Sequence, residues 1–231
     1  MTSAKLKNVL ITGATDGLGK AAALLLARRG YRVFAAGRSA EKIAQAGSVD
    51  VLINNAGIIY VTTVEDTRME DWRRQFETNF FGVVRVTQAV LQHMRTRRRG
   101  RILMMSSVSG IITPPTYGPY SSSKHAMEGL SNALRLEMYP FGVEVILIEP
   151  GYIMTNLQNT AAELIEPYAD RITAGPYARI YSGAFAGATS ARRKSKTTAE
   201  DFARVMLKAI EAPTPKGAVW SDSAGDGGEV G

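Results

Sequence analysis

The chain has 231 residues, of which 45% are hydrophobic and 21% charged, and it contains no cysteine. This length and composition suit one globular α/β domain, and the lack of cysteine excludes disulfide bonds and thiolate zinc sites. The formal net charge of +7 is partly local, in cation clusters around Arg97 and Arg193. We interpret these clusters as solvated helix ends rather than as a nucleic-acid surface.

No targeting or membrane segment is evident in the sequence. The first residues run from a short polar lead into an apolar strand pattern, without the apolar core of a signal peptide. No apolar run approaches the length that a bilayer requires. We therefore expect a cytoplasmic protein, with no metal, no nucleic-acid partner and no membrane span.

A glycine-rich turn between a strand and a helix opens the chain. Residues 7–12 (KNVLIT) predict a buried strand, and residues 20–29 predict a helix with one buried face. Between them, Gly13, Gly17 and Gly19 would let the backbone approach a pyrophosphate, which free N–H groups at the helix start could bind. The pattern indicates a dinucleotide-binding turn, although a tight strand-to-helix turn without a ligand has the same glycines.

The second predicted strand, residues 31–36, is followed by Arg38. An acidic residue at this point would bind the ribose 2′-hydroxyl of NAD, whereas an arginine can pair with the 2′-phosphate of NADP. A surface arginine at a strand end is an equally good interpretation of Arg38.

A long helix is predicted after the third strand. Residues 49–54 form that strand, and residues 70–97 form an amphipathic helix with an apolar stripe that includes Trp72, Phe76 and Phe80. Asn79 lies within this stripe, where a polar side chain is expected to have a buried partner. Residues 101–106 form the fourth strand.

The most reactive stretch of the sequence follows the fourth strand. Tyr120 and Lys124 are four positions apart at the start of a helix predicted over residues 121–139, so they share one face. A phenol beside an ammonium ion is an acid/base device, because the cation favours the phenolate and lowers the tyrosine pKa. Ser107 lies at the strand end, thirteen residues before Tyr120. A solvated helix face has the same Tyr–Lys spacing, so the surrounding motifs decide between the two.

The remainder of the chain completes one predicted domain over residues 1–216. A fifth strand over residues 143–149 ends at Pro150 and Gly151, and residues 199–211 predict a helix. The loose pattern of residues 152–198 indicates a substrate lid made of short helical pieces. Residues 217–231 are rich in glycine and predict a flexible tail.

Together these motifs resemble the short-chain dehydrogenase/reductase family, in its short-subunit branch, over nearly the whole chain. The matches are TGxxxGxG at residues 12–19, NNAG at 54–57, NxxG at 79–82, YxxxK at 120–124, and Pro150-Gly151 with Thr155. Ser107 and Tyr120 keep the family's interval. Residues 123–129 and 148–153 look most like those of hydroxysteroid and retinol dehydrogenases. The implied fold is α/β, a Rossmann-like doubly wound parallel sheet.

The resemblance implies an oxidoreductase that transfers a hydride between NADP (or NAD) and a lipophilic alcohol or ketone. Tyr120 would be the general acid/base, Lys124 would lower its pKa and bind the nicotinamide ribose, Ser107 would orient the substrate oxygen, and Asn79 would hold a relay water. The implied cofactor-binding residues are Thr12, Gly13, Thr15, Asp16, Gly17, Leu18, Gly19, Arg38, Asn55, Ala56, Gly57, Tyr120, Lys124, Pro150, Gly151, Ile153 and Thr155. A homo-oligomer, dimer or tetramer, is also implied.

The sequence departs from the family's pattern in two places. Only sixteen positions separate Arg38 from Asn54, so about one βαβ unit and the usual third strand are expected to be missing. The glycine-rich end offers only Ala218, Val219 and Trp220 for the last strand, so that strand is expected to be absent or vestigial. These losses leave a second hypothesis open: a catalytically weak nucleotide-binding or scaffold protein that retains the site residues.

Overall fold

The computed structural model of the protein describes residues 7–36 and 48–213 and the backbone of residues 218–221. Within these residues, parallel strands form one sheet in the order β2–β1–β3–β4–β5–β6. The strands are β1 (Asn8–Thr12), β2 (Arg32–Ala36), β3 (Val51–Asn54), β4 (Gly100–Met105), β5 (Val143–Pro150) and β6 (Ala218–Ser221).

Helices connect the strands and cover both faces of the sheet. The α-helices are α1 (Gly17–Arg28), α2 (Met69–Phe76), α3 (Gly82–Thr96), α4 (Gly118–Met138), α5 (Leu157–Ile165), α6 (Ala169–Ala174), α7 (Ala178–Lys194) and α8 (Ala199–Glu211). A π-helical segment, Glu77–Phe81, joins α2 to α3. Short 3₁₀ turns lie at Val108–Gly110, Tyr139–Phe141 and Glu166–Tyr168.

The strands are apolar on both faces because each face is buried under helices, as is usual in a parallel sheet. Alternate residues such as Val9 and Ile11 pack with α1 and α8 in one core, while Leu10 packs in a second core with α3 and α4. This alternation confirms the predicted doubly wound α/β fold.

The first departure predicted from the sequence agrees with the described part of the sheet. There β2 pairs only with β1, so β2 is the edge strand and no outer third strand is present among the described residues. Arg38 and the rest of the shortened link, residues 37–47, lie outside the described residues.

The second predicted departure is wrong. Residues Ala218–Ser221 form β6, which pairs in parallel with the end of β5, from Leu147 opposite Ala218 to Pro150 opposite Ser221. The outer edge of β5 offers unpaired backbone N–H and C=O groups, and Ala-Val-Trp-Ser includes two residue types that favour strands. The predicted flexible tail is therefore corrected for residues 218–221.

The segment predicted as a loose lid is mostly helical. Residues 157–194 form α5, a 3₁₀ turn, α6 and the 17-residue helix α7. Two tyrosines fix this segment to α2 and to the loop between β3 and α2. The Tyr181 hydroxyl donates to Asp66 Oδ2 at 2.9 Å and accepts from the Thr63 N–H at 2.9 Å, and the Tyr168 hydroxyl donates to Asp71.

Both carboxylates of these clamps are buried and charged. Burial opposes the ionisation of Asp66, but hydrogen bonds from Thr63, Arg171 and Tyr181 outweigh it and lower its pKa. Burial likewise opposes the ionisation of Asp71, and the bonds from Tyr168, Tyr60 and Arg68 lower its pKa. A lowered pKa in the folded state means stability that is complete above the unfolded value of about 3.9 and is lost as pH falls through the folded pKa.

Replacing Tyr181 with phenylalanine should therefore destabilise the protein by about 1–3 kcal/mol, because Asp66 and the Thr63 N–H each lose a buried partner. Urea unfolding at pH 7 measures the loss. Tyr139→Phe is the matched control, since Tyr139 is 82% exposed and its change should cost less than about 0.5 kcal/mol. Equal unfolding midpoints for the two variants would contradict the clamp.

Candidate active site

The glycine-rich turn between β1 and α1 is tightly packed, and its glycines are required by its geometry. Gly13 and Gly17 have left-handed φ angles of 65° and 54°. A Cβ on Gly19 would lie 2.3 Å from the Gly13 carbonyl oxygen and 2.4 Å from Asn55 Nδ2. Any side chain at these positions would push the turn away from the path that the predicted pyrophosphate site needs.

Side chains at the end of β1 and directly after β3 brace the turn. Thr12 Oγ1 accepts hydrogen bonds from the Asn55 and Ala56 N–H groups at 3.0 and 3.1 Å. Asn55 Nδ2 donates to the carbonyl oxygens of Thr12 and Gly13 at 3.1 and 3.0 Å. These bonds hold the carboxyl ends of β1 and β3 together, at the edge where open α/β sheets bind ligands.

The turn fits a dinucleotide. Asp16 is the N-cap of α1 and accepts from the Gly17 N–H at 2.7 Å, while the next first-turn N–H groups have no acceptor within the helix. Thr15 and Asp16 are exposed, and Leu18 packs into the core beneath. A Cβ on Gly17 would lie 3.2 Å from Thr155 Cβ, so the segment after β5 borders the same cradle. That segment carries Gly151 and Ile153, and Ile153 is buried.

Asn79 is fully buried in the π-helical segment, as expected of a polar residue with a partner. Its Oδ1 accepts from the Ile58 N–H at 2.9 Å, and its Nδ2 donates to the Ile58 carbonyl at 3.0 Å and to Ser123 Oγ at 3.2 Å. The side chain therefore ties the chain after Gly57 to the helix that carries Tyr120. π-helical turns recur at functional sites.

The predicted apolar stripe around Asn79 needs correction. The residues buried on α2 and the π segment are polar: Asp71, Gln75 and Asn79. Phe76 and Phe80 are only half-buried. Polar side chains occupy this face because the loop after β3 presents backbone groups there, and Gln75 bonds both the Tyr60 N–H and the Ile58 carbonyl.

Ser107, Tyr120 and Lys124 meet beyond the ends of β4 and β5. Tyr120 and Lys124 are buried in the first two turns of α4, and the Ser107 hydroxyl hydrogen-bonds Tyr120. Ser107 Oγ also lies 3.5 Å from the Pro150 carbonyl oxygen. Lys124 Nζ lies 5.6 Å from the centre of the Tyr120 ring and donates to the Met105 carbonyl at 2.6 Å.

The expected effect of Lys124 on Tyr120 is absent from the structure. Burial raises the pKa of Tyr120 to about 12, the Ser107 hydrogen bond lowers it, and Tyr117 raises it. Burial also lowers the pKa of Lys124 to about 8, against the charge of Glu128. The ammonium group is directed at a backbone carbonyl, and the prediction that it lowers the phenol pKa is corrected.

Tyr120 also faces an apolar cluster. It packs with the buried Ile59, Val61 and Ala161, and its ring lies edge-on to Tyr117 at 6.4 Å between centres. The half-buried members of this cluster come from the loop before α4 and from the lid helices: Tyr117, Leu157, Ile165 and Phe185. The acid/base candidate thus packs in an apolar cluster to which α5 and α7 also contribute.

A family model described as "short chain dehydrogenase" matches residues 7–48 and 40–165, most of the chain. The chain belongs to the short-chain dehydrogenase family.

Individual members of the short-chain dehydrogenase family agree. The chain is 38% identical to the uncharacterised oxidoreductase YusZ of Bacillus subtilis over 67% of this chain and 68% of the other. It is 38% identical to a 3-ketodihydrosphingosine reductase of Bacteroides thetaiotaomicron over 70% and 71%. A solved short-chain dehydrogenase from Streptomyces avermitilis superposes with a TM-score of 0.73 and 25% identity, over 97% of this chain and 90% of that one.

Membership makes this protein an NAD(P)-dependent oxidoreductase that acts on small molecules. The described helices include none with the length and apolar character needed to cross a membrane.

Several residues of this short-chain dehydrogenase site were missed in the sequence. Gln75 precedes Asn79 by one turn and anchors the same loop, and Ser123 links Asn79 to α4. A second amide in the same helical stripe was the available signal for Gln75. Glu128 had no signal beyond its position one turn after Lys124, although it accepts a hydrogen bond from Ser106.

Proposed function

We propose that this protein is an NADP-preferring oxidoreductase that reduces a lipophilic ketone, or oxidises the matching alcohol, with Tyr120 as the general acid/base. The observation that carries the proposal is the apolar cluster of Ile59, Val61 and Ala161 packed around Tyr120. A substrate whose carbonyl reaches the phenol would place its neighbouring groups against these side chains. The 3-ketodihydrosphingosine reductase among the relatives bears a ketone substrate in its name, which supports this class.

In this proposal the cofactor lies along the carboxyl edge of the sheet. When bound, the nicotinamide supplies or accepts a hydride. The glycine turn and the first turn of α1 hold the pyrophosphate, Asn55 to Gly57 and Pro150 to Thr155 flank the nicotinamide half, and Arg38 binds the 2′-phosphate. Arg38 lies outside the described residues, so its part rests on the sequence alone.

Proton transfer in the reductive direction follows from the charge states. With its pKa at about 12, Tyr120 is a neutral phenol at pH 7 and can donate its proton to the developing alkoxide. Ser107, bonded to Tyr120, orients the substrate oxygen beside that proton. The oxidative direction needs the phenolate, so it should require a higher pH.

Two further residues support the phenol. Lys124 is the cation that binds the nicotinamide ribose and stabilises the phenolate once its ammonium group turns from the Met105 carbonyl. Asn79 keeps one lone pair of Oδ1 free for the relay water, because the Ile58 N–H uses the other. We further propose a single oxidoreductase domain that extends beyond the predicted end at residue 216 to include β6. In this proposal it works in the cytoplasm as a homo-oligomer, with residues 152–198 as its substrate lid.

Paired titrations test the cofactor and then the substrate. NADPH fluorescence should give a Kd at least about tenfold below that of NADH, because a 2′-phosphate pairs with Arg38 in a charge-assisted bond. Arg38→Asp should reverse this order. A panel of ketones with increasing chain length should then show kcat/KM rising with apolar length. Millimolar or absent binding of both cofactors would instead favour the second hypothesis, a weak nucleotide-binding protein.

A further inference from the structure

A half-buried carboxylate lies behind the catalytic candidates. Glu128 stands on α4 one helical turn beyond Lys124, and its Oε1 accepts a hydrogen bond from Ser106 Oγ. Ser106 is 2% exposed and lies directly after β4, between Met105 and Ser107. Met105, before it, accepts the bond from the Lys124 ammonium at 2.6 Å, and Ser107, after it, bonds Tyr120.

A glycine on the turn after Ser107 leaves room for the hydrogen bond between Ser106 and Glu128. Gly110 ends the short 3₁₀ turn that follows Ser107 and is itself buried. A Cβ on Gly110 would lie 2.7 Å from Ser106 Oγ and 3.0 Å from Glu128 Oε1. A larger residue at position 110 would therefore collide with the two atoms that form the Ser106–Glu128 hydrogen bond.

The charged groups around Glu128 come from two elements. Lys124, His125 and Arg135 lie on α4, and Glu149 faces it from β5. Burial raises the pKa of Glu128, against the Ser106 hydrogen bond and the charges of His125, Lys124 and Arg135. Lys124 and Glu128 do not form a direct ion pair, so the carboxylate acts on the ammonium through space. Glu149 does not act on Lys124 in this way.

We propose that Glu128 is a positioning residue of the reaction: its bond to Ser106 fixes α4 against the end of β4, and its negative charge keeps Lys124 an ammonium ion inside the fold. The proposal rests on the proposed role of Lys124 as the cation of the site. The Ser106–Glu128 hydrogen bond thereby sets the distance between Ser107 and Tyr120. Ser107 lies next to Ser106 in the chain, and Tyr120 lies two helical turns before Glu128 on α4. The charge offsets part of the cost of burying an ammonium group.

The decisive variant is Glu128→Gln, which removes the charge while its side-chain oxygen can still accept from Ser106. The measurement is the titration of Lys124 in the cofactor-free protein, followed by the NMR shift of labelled lysine Cε and assigned by the signal lost in Lys124→Met. We expect the midpoint to move to lower pH by about one unit, because a nearby opposite charge favours the charged form. The high-pH limb of the kcat profile should move in parallel.

Matched variants separate charge from packing. Glu149→Gln removes a neighbouring buried carboxylate and should leave the Lys124 midpoint unchanged. Ser106→Ala keeps the charge, so it should also leave the midpoint unchanged, while kcat falls several-fold at constant KM for the cofactor. Glu128→Asp, with the charge restored, should return the midpoint most of the way to the wild-type value.

An unchanged Lys124 midpoint in folded Glu128→Gln would overturn the proposal. If that variant does not fold, Glu128→Leu takes its place: its Lys124 midpoint should also move to lower pH, and an unchanged midpoint would overturn the proposal. The titration uses neither cofactor nor substrate, so it stays decisive even if the ketone panel fails. A protein without turnover but with the shifted midpoint would refute the proposed function and leave the effect of Glu128 on Lys124 standing.

Discussion

Tyr120→Phe should lower kcat by about three orders of magnitude while changing the Kd for NADPH less than about twofold. The variant loses one oxygen atom that donates the proton and bonds Ser107, and it keeps the ring that packs with Ile59 and Val61. Because the phenol lies beyond the strand ends, apart from the glycine turn, cofactor affinity should survive. Stopped-flow reduction of a ketone and fluorescence titration measure the two quantities.

Tyr117→Phe is the control for that experiment. Tyr117 lies edge-on to Tyr120 in the same apolar cluster, so the control removes a hydroxyl from the same surroundings. It should keep kcat within about fivefold of the wild type, since it donates no proton in the proposed step. Near-normal turnover by Tyr120→Phe, or an equal loss in both variants, would contradict the assignment of Tyr120.

Gly19→Ala should weaken NADPH binding at least about tenfold and destabilise the protein by about 1–3 kcal/mol, as overpacking does. Alanine is the better helix former by up to about 1 kcal/mol, but here its Cβ would meet the Gly13 carbonyl at 2.3 Å. A backbone oxygen cannot move aside alone, so the whole turn must shift. The steric cost therefore exceeds the helical gain.

Gly129→Ala is the matched control for the turn. Gly129 lies inside α4, and a Cβ there would meet nothing within 4 Å. Helix propensity alone should then raise the free energy of unfolding by about 0.5–1 kcal/mol and leave NADPH affinity unchanged. Urea unfolding and fluorescence titration of both variants give the comparison. A stabilised Gly19→Ala with wild-type affinity would remove the steric basis of the proposed cofactor site.

The sheet and the glycine turn could be predicted from the sequence because both depend on local patterns. Alternating burial along strands such as β1, and glycines at fixed spacing, depend on neighbours a few residues away. The buried face of α2 was predicted wrongly because Gln75 is buried by its bonds to Ile58 and Tyr60, which lie on a separate loop. Helical periodicity contains no information about such partners.

The pKa of Tyr120 illustrates the same limit within the site. Its spacing from Lys124 predicts a shared helix face, and both side chains are indeed buried there. Burial raises the pKa of Tyr120, and the ammonium group that was expected to lower it is directed at the Met105 carbonyl at the end of β4. The Tyr168 and Tyr181 clamps likewise join residues about a hundred positions apart, between segments whose patterns are independent of one another.

The π-helical segment Glu77–Phe81 limits where the chain can tolerate insertions and deletions. On a straight α-helix, side chains four residues apart drift around the axis by about 40° per step, because a turn takes 3.6 residues. The buried series from Asp71 through Gln75, Asn79 and Val83 to Thr87 advances in fours, and the wider π turn takes up part of that drift. Deleting one residue here would rotate the two halves of the helix against each other. Insertions and deletions in this helix are thus confined to its ends, whereas its exposed positions tolerate substitution by other amino acids.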